Sequence, residues 1–193
     1  MSFKEIKIPY GSRVYGTNDE KSDYDYIIIT ENRTEQVLTP NESINYISKS
    51  DFQKQLIKHE ISALEGYFWM EQNNIFHPFQ FELNKQQLRK SLSAKASNSF
   101  VKFKKKISLE NEDNYIGLKS LFHSIRIPTF GVDIVEGLVN FQNSFLIKLW
   151  SEMKKDAEET NYNLDFLIEK YKPIYNKQMS AFRKVAPKEP QEK

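Results

Sequence analysis

Two short stretches decide the reading: Gly11-Ser12-Arg13-Val14-Tyr15-Gly16-Thr17, and then Ser22-Asp23-Tyr24-Asp25-Tyr26-Ile27-Ile28-Ile29. The second alternates acidic and aromatic side chains and passes into a β-branched run, the pattern of a central buried strand. Residues i and i+2 of a strand point to one face, so Asp23 and Asp25 are expected side by side at its start. Two carboxylates so placed repel each other and are costly to desolvate. A divalent cation resolves both problems, and Mg²⁺ favours one or two carboxylates completed by water and phosphate oxygens. Gly11-Ser12 follows a short strand, Lys4–Tyr10, and opens a turn or helix that runs to Gly16. Backbone N–H groups there, with the Ser12 hydroxyl, are ready donors for phosphate, and a glycine lets the phosphate come close. An exposed acidic strand end would also carry Asp-x-Asp, so the metal reading rests on the whole string.

Working outward, Thr17–Ser22 is rich in turn formers and reads as a loop. Residues 31–42 are polar, contain Pro40, and also read as loop; Ser43–Ser48 (SINYIS) reads as a third strand. Asp51 can N-cap a helix over Phe52–Trp69, with Phe52, Leu56, Ile57, Ile61 and Leu64 on one stripe. The second half reads as helical: Asn84–Ser93, Ser99–Ile107, Glu112–Arg126 ended by Pro128, Phe141–Glu159, and Leu164–Val185 as one helix or two broken near Pro173. Val132–Glu136 is left open between helix and strand. The expected organisation is a core over 1–83, a helical annex over 84–186 and a flexible tail over 187–193.

Composition bounds the function. The chain has 193 residues, 39% of them apolar, and 28 basic against 26 acidic side chains. That length buries a full core without disulfide or metal support. There is no cysteine, which excludes a disulfide scaffold, thiolate metal sites and a cysteine nucleophile. Apolar runs such as Ile27–Ile29 are far too short to span a bilayer. No signal layout opens the chain, so a cytoplasmic protein without membrane association is expected. A net charge of +2 does not announce a nucleic-acid binder. Lysine outnumbers arginine 23 to 5, the codon bias of an AT-rich bacterial or phage genome, which makes each arginine more informative.

The string GSRVYGT…SDYDYIII resembles the nucleotidyltransferase superfamily of DNA polymerase beta, and more closely its predicted-nucleotidyltransferase branch found beside RNA-ligase genes in bacteria and phages. Phe52–Phe68, with its Leu64-Glu65 step, is similar to the helix that follows the third strand in that branch. Lys119-Ser120-Leu121-Phe122-His123-Ser124-Ile125-Arg126, followed by Gly131 and Gly137, resembles its helical K-x-x-x-H-x-x-R segment. The resemblance covers residues 5 to 140; residues 141–193 match nothing in it. It implies an α/β fold, with a small mixed sheet in the nucleotidyltransferase core and a C-terminal helical annex. It implies metal-dependent transfer of a nucleotide from a nucleoside triphosphate to a hydroxyl, possible RNA ends among the acceptors, in the setting of RNA repair. Asp23 and Asp25 would hold Mg²⁺ or Mn²⁺; Gly11, Ser12 and Arg13 would meet phosphate.

Lys119, His123 and Arg126 stand at i, i+4 and i+7 and share a helix face. That trio suits a triphosphate or an RNA phosphate, although a solvated face with one satisfied histidine has the same spacing. Superfamily members carry a third carboxylate on the strand after Asp-x-Asp, and Ser43–Ser48 has none. Three alternatives stand: Glu42 is recruited as a third catalytic acid, the site runs with two carboxylates near Asn45 or Ser43, or catalysis is lost. The last would leave a nucleotide- or RNA-binding module, and a toxin–antitoxin or phage-defence partner is a further alternative. Lys102, Lys104, Lys105 and Lys106, interleaved with Phe100 and Phe103, form the densest basic run; an exposed lysine face and an RNA-backbone contact both fit it. His59 and His77 carry no ligand role.

Overall fold

The computed structural model describes residues 3–20, 22–107 and 113–188. The protein is α/β, and it divides into two compact units, Met1–Glu82 and Leu83–Lys193.

The first unit is built on a four-stranded mixed sheet. Strands β1 (Ile6–Tyr10), β2 (Tyr24–Thr30), β3 (Glu35–Leu38) and β4 (Glu42–Ser48) lie in the order β1-β2-β4-β3. β1 runs antiparallel to β2, β2 parallel to β4, and β3 antiparallel to β4. The short helix α1 (Ser12–Tyr15) fills the β1–β2 connection, and α2 (Lys49–Ile57) and α3 (Ile61–Gln72) follow β4. The register puts Ile8 beside Ile27 and Ile27 beside Asn45, so one face carries Ile8, Tyr10, Asp25, Ile27, Ile29, Asn45 and Ile47. Phe52 and Leu56 of α2 and Ala63, Leu64 and Met70 of α3 are buried with its isoleucines. Gly66 brings α3 so near that an added Cβ would meet Phe52 and Ile8 at 3.3–3.4 Å.

Two expectations are corrected here. Residues 35–38 form an edge strand rather than part of a loop, because its polar side chains conceal the pairing with β4. The helix expected over Phe52–Trp69 is two helices. His59 adopts φ 55°, a left-handed conformation that ends α2 and turns the chain. The Ser48 side chain, with its Oγ accepting from the Asp51 amide, starts α2, three residues ahead of the expected cap.

The second unit consists of helices α4 (Lys85–Ile107), α5 (Asn114–Glu136), α6 (Ser144–Glu159) and α7 (Leu164–Val185). Asn84 caps α4 by accepting from the Gln87 amide at 2.9 Å, and the helix runs without a break through the segment expected to separate two helices. α5 passes through Pro128 instead of stopping before it, and takes in 132–136. A proline inside a helix costs about 3 kcal/mol. Here the ring is buried in the most buried helix of the unit, among Ile125, Ile127, Phe130 and Ile134, and that burial outweighs the lost hydrogen bond. α7 likewise continues through Pro173. Phe103, Leu118, Leu121, Ile125, Met153, Leu167 and Tyr171 form its core. The expected start of α5 at Glu112 and most of the expected tail lie outside the described residues. Among the described residues no helix is long and apolar enough to cross a membrane.

Candidate functional site

Gly11 joins the two halves of the opening motif. Its φ of 80° and ψ of −157° belong to a region that only glycine occupies comfortably. The register pairs Tyr10 with Asp25, and the Asp25 carboxylate lies against Gly11: an added Cβ would meet Asp25 Oδ2 at 2.4 Å. The Val14 and Tyr15 amides return to the Gly11 carbonyl at 3.1 and 3.3 Å. The amides of Ser12 and Arg13 head the turn, where no intrahelical acceptor precedes them. Gly11→Ala therefore meets both a forbidden φ and a collision with a carboxylate. We expect a loss of about 1–3 kcal/mol in unfolding free energy, read by chemical denaturation, and no rescue by the smaller change at Asp25 to Ala if backbone strain dominates.

Asp23 lies one residue before β2 and is exposed. Its carbonyl accepts from Arg13 Nε at 3.3 Å, the Ser22 carbonyl accepts from Arg13 Nη2 at 2.6 Å, and the guanidinium lies 3.7 Å above the Tyr24 ring. Arg13 thus clamps the loop that precedes β2 onto α1. Two of its five N–H donors go to these backbone carbonyls, so the guanidinium is held in place by the loop beside the Gly11–Ser12 turn.

Glu42 is also placed differently from the expectation. It pairs with Tyr24, whereas Asp25 pairs with Ser43 and Ile27 with Asn45. Alternation then turns Glu42 to the face opposite Asp25, while Ser43 and Asn45 share the Asp25 face. Asn45 Nδ2 donates to the Tyr10 hydroxyl at 2.5 Å. Among the described residues no three His, Asp or Glu side chains converge into a metal-ligating group. The acid that the register places on this face is Asp25; a carboxylate of this kind suits a hard cation whose remaining ligands include phosphate and water oxygens.

Two residues were not singled out from the sequence as functional. The Tyr10 phenol is raised above its ordinary pKa by burial first, then by the Asp25 charge, and further by Glu65, while hydrogen bonds from Ser43 and Asn45 oppose the rise. Glu65 is a buried carboxylate on α3, 6% exposed, and acts on the same phenol. The signal available for it was a single acid within an otherwise apolar helical run, Ile61–Met70. Tyr10 and Asn45 also border a cavity of about 470 Å³ lined further by Ile27, Phe52, Lys58 and Glu60, a size that accepts a nucleoside.

Lys119, His123 and Arg126 lie on α5 in the second unit. Arg126 is buried, at 5% exposure, and its Nε donates to His123 Nδ1 at 3.3 Å. Lys119 sits over the Tyr115 ring at 4.7 Å. The His123 ring is held down to a pKa of about 3, by burial first and then by Arg126, Lys119, Lys102 and Lys95. It is therefore neutral at pH 7 and accepts at Nδ1. The spacing argument placed three of these groups together, and the α4 lysines are what only the folded structure adds.

No protein-family model matches the chain. No curated protein matches it in sequence.

Proposed function

We propose that the protein is a metal-dependent nucleotidyltransferase whose site is the Gly11–Ser12 turn with Asp23 and Asp25. The observation that carries this reading is the packing of the Asp25 carboxylate directly on Gly11, which brings a phosphate-type turn and a metal-type acid together. The Gly11–Ser12 turn would hold the triphosphate, with the Ser12 and Arg13 amides and the Ser12 hydroxyl as donors. Asp23 and Asp25 would hold Mg²⁺ or Mn²⁺, which would supply neutralisation of phosphate charge and stabilise the entering and leaving oxygens. An acceptor hydroxyl would give its proton to solvent water and attack the α-phosphorus, and pyrophosphate would depart with the electrons of the broken P–O bond. Arg13 fixes the loop that carries Asp23, and the cavity beside Tyr10 and Asn45 offers room for a nucleoside. The acceptor fits an RNA end, on the analogy of the RNA-ligase-associated branch, and a protein or small-molecule hydroxyl would meet the same chemistry.

A second reading has its own observation. Asn45, not an acid, stands on the Asp25 face of the strand after Asp-x-Asp, as in a module that binds nucleotide without transferring it. Incubation with each α-labelled nucleoside triphosphate, Mg²⁺ or Mn²⁺, and a panel of RNAs and proteins separates the two. Covalent label on an acceptor supports the transferase. Metal-dependent nucleotide binding with no label transferred supports the module.

A further inference from the structure

The net charge of the chain conceals a division between its two units. Met1–Glu82 holds eight Lys and Arg against thirteen Asp and Glu, whereas Leu83–Lys193 holds twenty against thirteen. The excess is concentrated on α4, where eight of the 23 residues are Lys or Arg and none is Asp or Glu. At 1.5 Å per residue that is an acid-free rod about 34 Å long.

Near the start of that helix lies a cavity of about 440 Å³ lined by Gln86, Arg89, Lys90 and Ser93 of α4, with Arg183 of α7 and Lys188 beyond its end. Among the described residues its lining has four cations, no carboxylate and no apolar side chain. Arg89 is fixed there, donating from Nη1 to the carbonyls of Arg183 at 3.0 Å and Ala186 at 3.1 Å. Among the described residues, no carboxylate pairs with Lys90, Arg183 or Lys188. Ser93 Oγ is buried and has no hydrogen-bond partner among them. A buried hydroxyl left unpaired costs about 1–3 kcal/mol, so the site is a polar cavity with an unused donor and uncompensated positive charge.

We propose that this cavity binds a backbone phosphate of a single-stranded nucleic acid that continues along α4. The fixed Arg89 guanidinium, Lys90, Arg183 and Lys188 supply charge, and Ser93 Oγ supplies a neutral donor to a phosphate oxygen. The acid-free length of α4 favours an extended polyanion over an isolated phosphate. The wholly polar lining lacks the apolar side chains with which a membrane-surface site enters the acyl region. The site stands on the second unit's own chemistry, so it is separable from the proposed nucleotidyl transfer.

The test is fluorescence anisotropy of the full chain with a labelled 12-nucleotide single-stranded RNA across a salt series. The double variant R183Q/K188Q should weaken binding by about tenfold or more. It should also reduce the log–log salt slope by up to about 0.7, the share of the one phosphate that the cavity holds. K148Q/K155Q, with the same charge loss on α6, should change affinity by less than about threefold. Ser93→Ala should weaken RNA binding by a few-fold while leaving the melting temperature unchanged or higher, the opposite of what a purely structural serine gives. Equal weakening by both double variants would overturn the site in favour of general attraction. Affinity and slope unchanged in R183Q/K188Q would also overturn it. So would pocket-dependent binding of inorganic phosphate or free ATP with RNA binding unaffected, or tighter binding to phosphatidylserine vesicles than to RNA.

Discussion

Asp25→Asn should abolish transfer of label from an α-labelled nucleoside triphosphate, by about 10³-fold or more, while the protein stays folded. That scale is typical of removing one charged member of a preorganised site. The substitution keeps the shape of the side chain that lies against Gly11, so the turn is not disturbed, but it halves the charge of the Asp23–Asp25 pair and weakens its hold on a divalent ion. It also removes like-charge repulsion, so thermal stability without nucleotide should be equal or greater. An independent readout is Tyr10. Asp25 contributes to raising the phenol's pKa, and Asn should let it fall, visible in an ultraviolet pH titration. Undiminished transfer by Asp25→Asn would move the chemistry elsewhere in the protein. A Tyr10 titration that shifts while nucleotide binding and transfer are both absent in the native chain would leave only the fold of the site standing.

The second large effect is pH-dependent and belongs to the other unit. His123 titrates at about 3 in the folded protein against 6.5 for the free side chain, because protonation would place another charge in a partly buried ring facing Arg126, Lys119, Lys102 and Lys95. Above pH 6.5 the ring is neutral in both folded and unfolded chains, and its contribution to stability is complete. As pH falls from 6.5 towards 3 the unfolded chain takes up a proton that the folded chain refuses, so stability declines through that window. The loss is on the order of 4–5 kcal/mol at the acid end. His123→Gln, which keeps an acceptor for Arg126, should flatten the pH dependence of the urea midpoint between pH 7 and 4.5. The native chain should show a steep decline over the same range. If Lys119 and Arg126 meet phosphate, saturating ATP should offset the surrounding positive field and raise the His123 pKa in an NMR titration. An unchanged His123 pKa with bound nucleotide would assign the Lys119–Arg126 stripe a structural part only.

The local conformation of the candidate site was legible because it is written in short-range pattern. Gly11 followed by Ser12 specifies a turn that only glycine can enter, and the passage from Asp23-Tyr24-Asp25 into Ile27–Ile29 specifies a strand whose acidic end is exposed and whose centre is buried. The strands around residues 4–10, 23–30 and 43–48 and the helical second half followed from the same periodicities, while the α/β class with a small mixed sheet was what the resemblance implied. Pro128 and Pro173 misled, since a proline's local cost is fixed but the burial that outweighs it comes from residues distant in the chain. β3 was missed because its four residues are edge-like and polar, and only pairing with β4 makes them a strand.

Register, burial and charge segregation were decided by the tertiary structure. One residue of pairing between β2 and β4 puts Asn45 beside the Asp25 face and turns Glu42 away, and nothing in either segment read alone distinguishes the two. Arg13 gains its hold on the Ser22 and Asp23 carbonyls only in the folded chain, because those acceptors are nine and ten residues away in sequence. Glu65 gains its influence on Tyr10 because α3 packs over the sheet. The net charge of +2 is an average over an acidic unit and a basic one, and an average carries no position. The unit boundary turns that near-neutral chain into an acid-free helix with a cationic cavity at its start, because electrostatic potential depends on where charges lie in space and not on their sum.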